Sequence, residues 1–222
     1  MEYVEIARAE SERGELVLRE RRDDGARPVL ELRANGVFVM DSHETSTEIA
    51  LASAVLERVE DPRDVVIGGL GLGYTLEAVL ADPRVEHVTV VEIEEAVIGW
   101  MRDGTIPHGQ GLLADRRVKV VNADLAMAVE EAREQYDAIL LDVDNGPGYL
   151  VHESNGSLYE VPFLDRVRGM LRPGSALAIW SAGVAPDLAA TLTDVFVDVE
   201  VIELPVQLQD RTESYWLLVA HL

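Results

Sequence analysis

The stretch Val65-Val-Ile-Gly-Gly-Leu-Gly-Leu-Gly-Tyr-Thr-Leu-Glu-Ala-Val-Leu80 constrains this chain more than any other. A β-branched apolar run gives way to four glycines within six positions (Gly68, Gly69, Gly71 and Gly73), and apolar residues then return at helical spacing. A strand that opens a helix through such a loop presents unpaired backbone N–H groups and a positive dipole end. Glycine also lets a ligand approach the main chain with no Cβ in the way. A tight turn alone needs one or two glycines, so four point to a ligand-binding loop.

The spacing argues against two common ligands. The dinucleotide fingerprint is G-x-G-x-x-G. Started at Gly69 its third glycine falls on Tyr74, and started at Gly71 it falls on Leu76. The Gly-Lys-Ser/Thr of a Walker loop is also missing. A G-x-G-x-G spacing remains.

The rest of the chain supplies a frame for this loop. Short alternating runs at residues 3–6, 15–18, 29–32 and 37–40 are separated by turn formers, among them Asn35-Gly36. Asn-Gly between alternating strands signals a hairpin, so residues 1–45 read as a small antiparallel β-hairpin region. Residues 47–59, with Ile49, Leu51, Ala52, Val55, Leu56 and Val59, suit an amphipathic helix. Beyond Asp64, strands at 65–67, 87–91, 118–121, 138–141 and 176–180 alternate with helices at 74–80, 95–101, 125–133 and 158–171. Such a series predicts an α/β domain over 46–222 with a parallel sheet covered on both faces. A helix at 187–196 leads to strands at 197–204 and 215–220 with no room for a crossover helix, so that last pair is expected to be antiparallel.

Three further elements fall at strand ends, where ligands of open α/β sheets bind. Glu92 closes Val90-Val-Glu92, about twenty residues beyond the glycines, where a carboxylate can hold a ribose diol. Asp124 in Asn122-Ala-Asp124 can accept from an exocyclic amino group, or cap the following helix. Ile93 and Ala123, beside these two carboxylates, are candidates for lining the same site. The third element, Asp142-Val-Asp144-Asn-Gly-Pro147, ends a very apolar strand in two carboxylates. Asp142 is the first choice to orient a reacting group and take its proton, with Asp144 as helper. Close carboxylates raise one another's pKa, which suits a base. The segment after them, with Tyr149, His152 and Tyr159, suits a lid over the acceptor, and Trp180 would face the same crevice.

Composition narrows the function classes. The chain has no cysteine, which excludes disulfides and thiolate chemistry. Its five histidines show no metal-site spacing, and no metal is expected. A formal charge of −22 repels phosphate backbones and anionic membranes and favours cationic partners. The charged first twenty residues lack a signal peptide's apolar centre. No apolar run reaches the roughly 20 residues that span a bilayer. The expectation is a soluble, cytoplasmic protein with neither nucleic acid nor membrane as partner.

Gly68 to Gly73, Val90-Val-Glu-Ile-Glu-Glu-Ala-Val97, Asn122-Ala-Asp124 and Tyr136-Asp-Ala-Ile-Leu-Leu-Asp142 resemble, in order and spacing, class I transferases of the S-adenosylmethionine type. Asn35-Gly-Val-Phe-Val-Met-Asp41 and the run from Asp82 to Ile98 resemble the spermidine synthase (polyamine aminopropyltransferase) branch more narrowly. The resemblance implies a Rossmann-like sheet, mostly parallel with an antiparallel C-terminal strand, and a homodimer joined through the hairpin region. It also implies S-adenosylmethionine or its decarboxylated form as co-substrate, and a small amine of the polyamine type as acceptor.

There are departures. The branch usually carries an aspartate in the glycine loop that meets the donor's amine, and here that position is Gly71. The loop after Asp142 is shorter than usual, and Ser42-His-Glu-Thr-Ser-Thr47 lacks the usual polyamine-holding Tyr and Gln or His. Aminopropyl transfer, methyl transfer to a small molecule, and a non-catalytic nucleotide-binding homologue therefore stand as alternatives.

Overall fold

The strand runs around the glycine loop bury both faces, and their residues divide between two cores accordingly. Val65 and Ile67 join one cluster and Val66 the other; Ala138 and Leu140 oppose Ile139 and Leu141 in the same way. Such period-2 partition with no polar face belongs to a sheet covered on both sides. The computed structural model describes residues 2–23, 25, 27–148, 150, 152–208 and 211–222.

Four strands come first: β1 (Glu2–Ser11), β2 (Gly14–Arg22), β3 (Val29–Ala34) and β4 (Val37–Asp41). They form an antiparallel sheet in that order. Asn35 and Gly36 both take positive φ, 51° and 76°, which matches the right-handed twist of the strands that they join. Leu16, Leu18, Leu32 and Ala34 of this sheet share a core with α1 (Ser46–Leu56), α2 (Tyr74–Ala81) and α3 (Glu95–Asp103).

The larger sheet has the order β10-β11-β9-β8-β5-β6-β7. Its parallel part is β5 (Asp64–Gly68), β6 (His87–Glu92), β7 (Val118–Asn122), β8 (Tyr136–Leu141) and β9 (Leu171–Ser181). β11 (Arg211–His221) pairs antiparallel with both β9 and β10 (Asp198–Leu208), as the missing crossover predicts. α5 (Leu125–Glu131), α6 (Val161–Gly169) and α7 (Pro186–Val195) cover the second face. Chain direction across the sheet reverses between β5 and β8, where Gly68 lies beside Leu141. A crevice at the carboxyl ends of these strands is the position where doubly wound sheets bind ligands.

Two sequence expectations need correction. The helix expected over 158–171 is a 3-10 helix at Glu153–Tyr159 followed by α6, and Leu171 already starts β9. The break falls at Glu160, which is extended (φ −95°, ψ 156°), and Pro162 suits the first turn of the new helix, where α6 carries it. A short α4 (Gly109–Leu113) went unforeseen, because glycines at 109 and 111 weaken any helical signal.

Candidate active site

The glycine loop is shaped first by the protein around it. Gly69 has φ +94°, and a Cβ there would lie 2.1 Å from the carbonyl oxygen of Asp142. Gly71 has φ +49°, and its Cβ would meet Met40 Sδ at 2.6 Å. Positive φ and close protein neighbours thus account for both glycines before any ligand is considered. Gly69 and Gly71 also line the adjoining cavity, whereas Gly68 ends β5 and Gly73 caps α2, both outside its lining.

That cavity, of about 350 Å³, lies at the switch point. Its walls include Glu92, Ile93, Ala123, Asp124, Asp142, Asp144, His152 and Trp180, which sequence spacing proposed from separate strand ends. Leu16, Val97, Leu125 and Leu158 add apolar wall.

Main chain fixes the carboxylates at the nucleotide end. Glu92 Oε2 accepts the Leu70 N–H at 2.8 Å and Oε1 accepts the Glu94 N–H at 2.7 Å. The Gly71 N–H also acts on this carboxylate, whose two oxygens together offer about four acceptor sites. Burial raises the pKa of Glu92, and the backbone donors oppose that shift. Asp124 is the N-cap of α5: its Oδ1 accepts from Ala126 N at 2.8 Å and Met127 N at 3.4 Å.

The two aspartates after β8 differ in their surroundings. Asp142 Oδ2 accepts from Thr75 Oγ1 at 2.8 Å, and burial raises the carboxyl's pKa. Asp144 takes φ +61° and organises the following loop. Its Oδ1 accepts from Asn145 N at 2.8 Å, and its Oδ2 accepts from His152 N at 3.2 Å and Asn155 Nδ2 at 2.9 Å. The carboxyl electrostatically linked to Asp142 is Glu48 of α1, which sequence reasoning passed over. Glu48 is 8% exposed, and burial first, then the charge of Asp142, push its pKa up to about 7. Ile49, expected on the core side of that helix, is 48% exposed instead. Glu48 looked like an ordinary acidic first-turn residue, favoured there by the helix dipole.

The proposed lid residues separate. His152 lines the cavity, and burial and nearby Arg13 lower its pKa. Tyr159 is buried outside the lining and donates to Val143 O at 2.9 Å. Burial raises its pKa as well. Tyr149 lies outside the described residues. Arg13, in the β1–β2 turn, was also missed. It lines the cavity and reaches Glu94 at 3.4 Å and Asn155 at 3.5 Å.

A second chamber of about 350 Å³ adjoins the first. Val39, Met40, Glu48, Asn145 and Trp180 line both. Asp41, Glu44 and Glu213 add carboxylates to the second, and Phe38 and Tyr215 add aromatic rings. Tyr215 packs on Trp180 with ring centroids 5.0 Å apart. Burial, then the charges of Glu213 and Glu48, raise the Tyr215 phenol to about 12. Trp180 Nε1 is buried without a hydrogen-bond partner among the described residues. One chamber therefore offers apolar walls and backbone-fixed acceptors, and its neighbour offers negative charge and π faces, which suit a cation.

Residues 35–184 match the spermine/spermidine synthase domain family. Polyamine aminopropyltransferase 2 of Hyperthermus butylicus is 30% identical over 162 residues, 70% of this chain and 51% of that protein. The chain spans about half or less of the length of the first curated relatives it matches. A crystal structure of spermidine synthase in complex with the transition-state analogue AdoDATO superposes with a TM-score of 0.83 at 20% identity, covering 97% of this chain and 73% of that one. Human methyltransferase-like protein 13 in complex with SAH gives 0.57 at 21% identity, covering 79% of each chain. At these identities the structural likeness concerns the fold, that of class I methyltransferases, here with an N-terminal antiparallel sheet. The match over 35–184, which takes in the glycine loop and all four strand ends, shows that the chain belongs to the spermine/spermidine synthase family.

Proposed function

We propose that this chain transfers an aminopropyl group from decarboxylated S-adenosylmethionine to a polyamine. The observation that carries the reading is the pair of joined chambers, one suited to adenosine and the other to a cation. Glu92, with three backbone N–H groups on a carboxylate of about four acceptor sites, keeps acceptor capacity for the ribose. Asp124, with Oδ1 committed to its cap, offers Oδ2 to the adenine amino group. Ile93, Ala123 and Leu125 supply apolar contact, and Gly69 and Gly71 leave the main chain bare beside the donor's alkyl arm.

The donor, once bound, supplies an already activated carbon on a positive sulfur. The protein has to align an amine with that carbon and keep water away. Asp142, anchored by Thr75 and set against Gly69, lines the donor chamber and orients the amine by charge. Asp144 acts through the loop it holds, keeping Asn145, His152 and Asn155 in place. The acidic chamber selects a cationic acceptor, and the overall negative charge raises its encounter rate.

The reading extends to a cytoplasmic homodimer joined through residues 1–45. Exposed Tyr3, Ile6, Val37 and Phe38 on that sheet support the contact, and light scattering tests it.

A mass-spectrometric screen of diamines and triamines with both donors tests the activity. The expected products are an aminopropylated amine and methylthioadenosine. Methyl transfer from intact S-adenosylmethionine is the second reading, favoured by glycine in place of aspartate at Gly71. Tighter calorimetric binding of the intact donor, with methylated product in the screen, would establish it instead.

A further inference from the structure

An aminopropyl transfer needs a proton acceptor where its two substrates meet. An aliphatic amine arrives as R–NH3+, with a pKa near that of lysine, about 10. Its nitrogen attacks only after one proton has left. The group that receives the proton must reach the acceptor's chamber and the reacting carbon's chamber together.

Among the described residues, five line both: Val39, Met40, Glu48, Asn145 and Trp180. Of these five, only Glu48 ionises within the working range of pH. Asp142 lines the donor chamber alone, and its Oδ2 already takes the Thr75 hydroxyl hydrogen at 2.8 Å. Glu48 Oε2 accepts from Thr47 Oγ1 at 2.9 Å, which steadies the carboxylate at the junction. We infer that Glu48 takes the proton from the acceptor amine, with Asp142 as the fixed charge beside it.

The step balances. The Glu48 carboxylate and R–NH3+ become a carboxylic acid and R–NH2. The nitrogen lone pair then forms the C–N bond as the C–S bond breaks. Sulfur keeps that electron pair and leaves as a neutral thioether. The new secondary ammonium carries the positive charge, and Glu48 later releases its proton to water through the second chamber.

Electrostatics agree with this placement. Among the described residues, the ionisable groups facing Glu48 are Asp41 ending β4, Glu44 before α1, Tyr74 opening α2, Asp142 after β8, and Glu213 and Tyr215 on β11. All are acids. Arg21 at 3.5 Å from Asp41 partly offsets one of them. Burial first, then these charges, favour the protonated carboxyl and bring its pKa to about 7, where a general base is most effective. The donor's positive sulfur acts on the amine in the opposite sense and lowers its affinity for the proton.

The assignment rests on the aminopropyl-transfer reading, and two readouts keep them apart. In the wild type, kcat/KM should rise with pH through a midpoint near 7. Glu48→Gln should lose that limb and lower kcat by about 100-fold. Methylthioadenosine affinity should stay within about 2-fold, because none of the hydrogen bonds that fix Glu92 and Asp124 involves Glu48, and Glu48→Asp should restore part of the rate. Loss of the limb in Asp142→Asn, with Glu48→Gln keeping it, overturns the inference.

The second readout needs no turnover. Spermidine is titrated at pH 7 into the methylthioadenosine complex, in buffers of different ionisation heat. The wild type should release protons as the cation displaces the one on Glu48, and Glu48→Gln should release none. Absence of that release from the wild type overturns the inference whatever the screen of amines shows. Absence of turnover together with normal release sinks only the aminopropyl reading.

Discussion

The two chambers are built by different means although they share a wall. In the first chamber, the proposed donor side, main chain fixes the polar groups. The Leu70 and Glu94 N–H groups aim Glu92, and Ala126 and Met127 hold Asp124. In the second, the proposed acceptor side, the wall consists of side chains brought from β4, the start of α1, the end of β9 and β11. Backbone geometry depends on a few glycines and caps at fixed spacing. A ring of carboxylates tolerates exchange of position as long as the field remains negative. The first half of such a site is therefore held in place by the fold, and the second is free to change its acceptor.

The most damaging test of this contrast is Gly69→Ala. The new Cβ meets the Asp142 carbonyl at 2.1 Å on a backbone with φ +94°, and neither obstacle is a flexible side chain. Positive φ and overpacking together should cost about 4 kcal/mol. Urea unfolding checks this. A loss under about 1 kcal/mol would mean that the loop yields easily and that main chain does not govern the donor half.

Next in size is Glu92→Gln. One amide end must turn its own N–H toward a backbone N–H, and the charge that would face the ribose is lost. Charge-assisted hydrogen bonds contribute roughly 1.5–3 kcal/mol, so methylthioadenosine affinity should fall by about 100-fold. Proton release on spermidine binding should persist, since that belongs to the other chamber. Calorimetry reads both, and an equal loss of both would show the chambers to be one cooperative unit.

The same division explains what the sequence could reveal. Glu92, Asp124 and Asp142 were legible because each closes or follows a strand of the parallel sheet, and the ends of such strands converge on one edge. The antiparallel tail followed from the missing crossover between β10 and β11. Glu48 was illegible because its helix inverts the usual pattern, with Ile49 turned outward and a carboxyl turned in. Glu213 and Tyr215 were illegible for another reason. They reach the site only because β11 inserts beside β9, a pairing that no local motif announces. The glycine loop was read correctly as strand, turn and helix. Its glycines, however, answer to Asp142 and Met40 as much as to any ligand.

Glu48 also leaves a trace in stability. Its folded pKa of about 7 exceeds its ordinary value of 4.5, so the folded protein binds this proton more tightly than the unfolded chain does. The stability that this proton contributes is fully present below about pH 4.5 and is lost as pH rises through about 7. At pH 8 the ligand-free protein keeps a buried charge that Glu48→Gln removes, so the variant should be more stable there by about 2 kcal/mol. At pH 4.5 the two should nearly coincide. Thermal unfolding at both values checks this, and a variant less stable than wild type at pH 8 would make Glu48 a structural residue.

The smallest effect belongs to Glu213→Gln. Glu213 lines the acceptor chamber but is exposed to solvent, unlike Glu48. Water and salt screen an exposed carboxylate, and its attraction for one ammonium amounts to about 1 kcal/mol at most. The polyamine KM should rise about 5-fold at low ionic strength and approach the wild-type value near 0.5 M salt, where the screening length is short. kcat should hold, because Glu213 acts on the bound and reacting amine alike, and uniform binding changes KM alone. Methylthioadenosine affinity should also hold. A fall in kcat at all salt concentrations would place Glu213 in the reacting geometry instead. The acceptor half would then be as tightly specified as the donor half, and the contrast between backbone-built and charge-built recognition would fail at its weakest point.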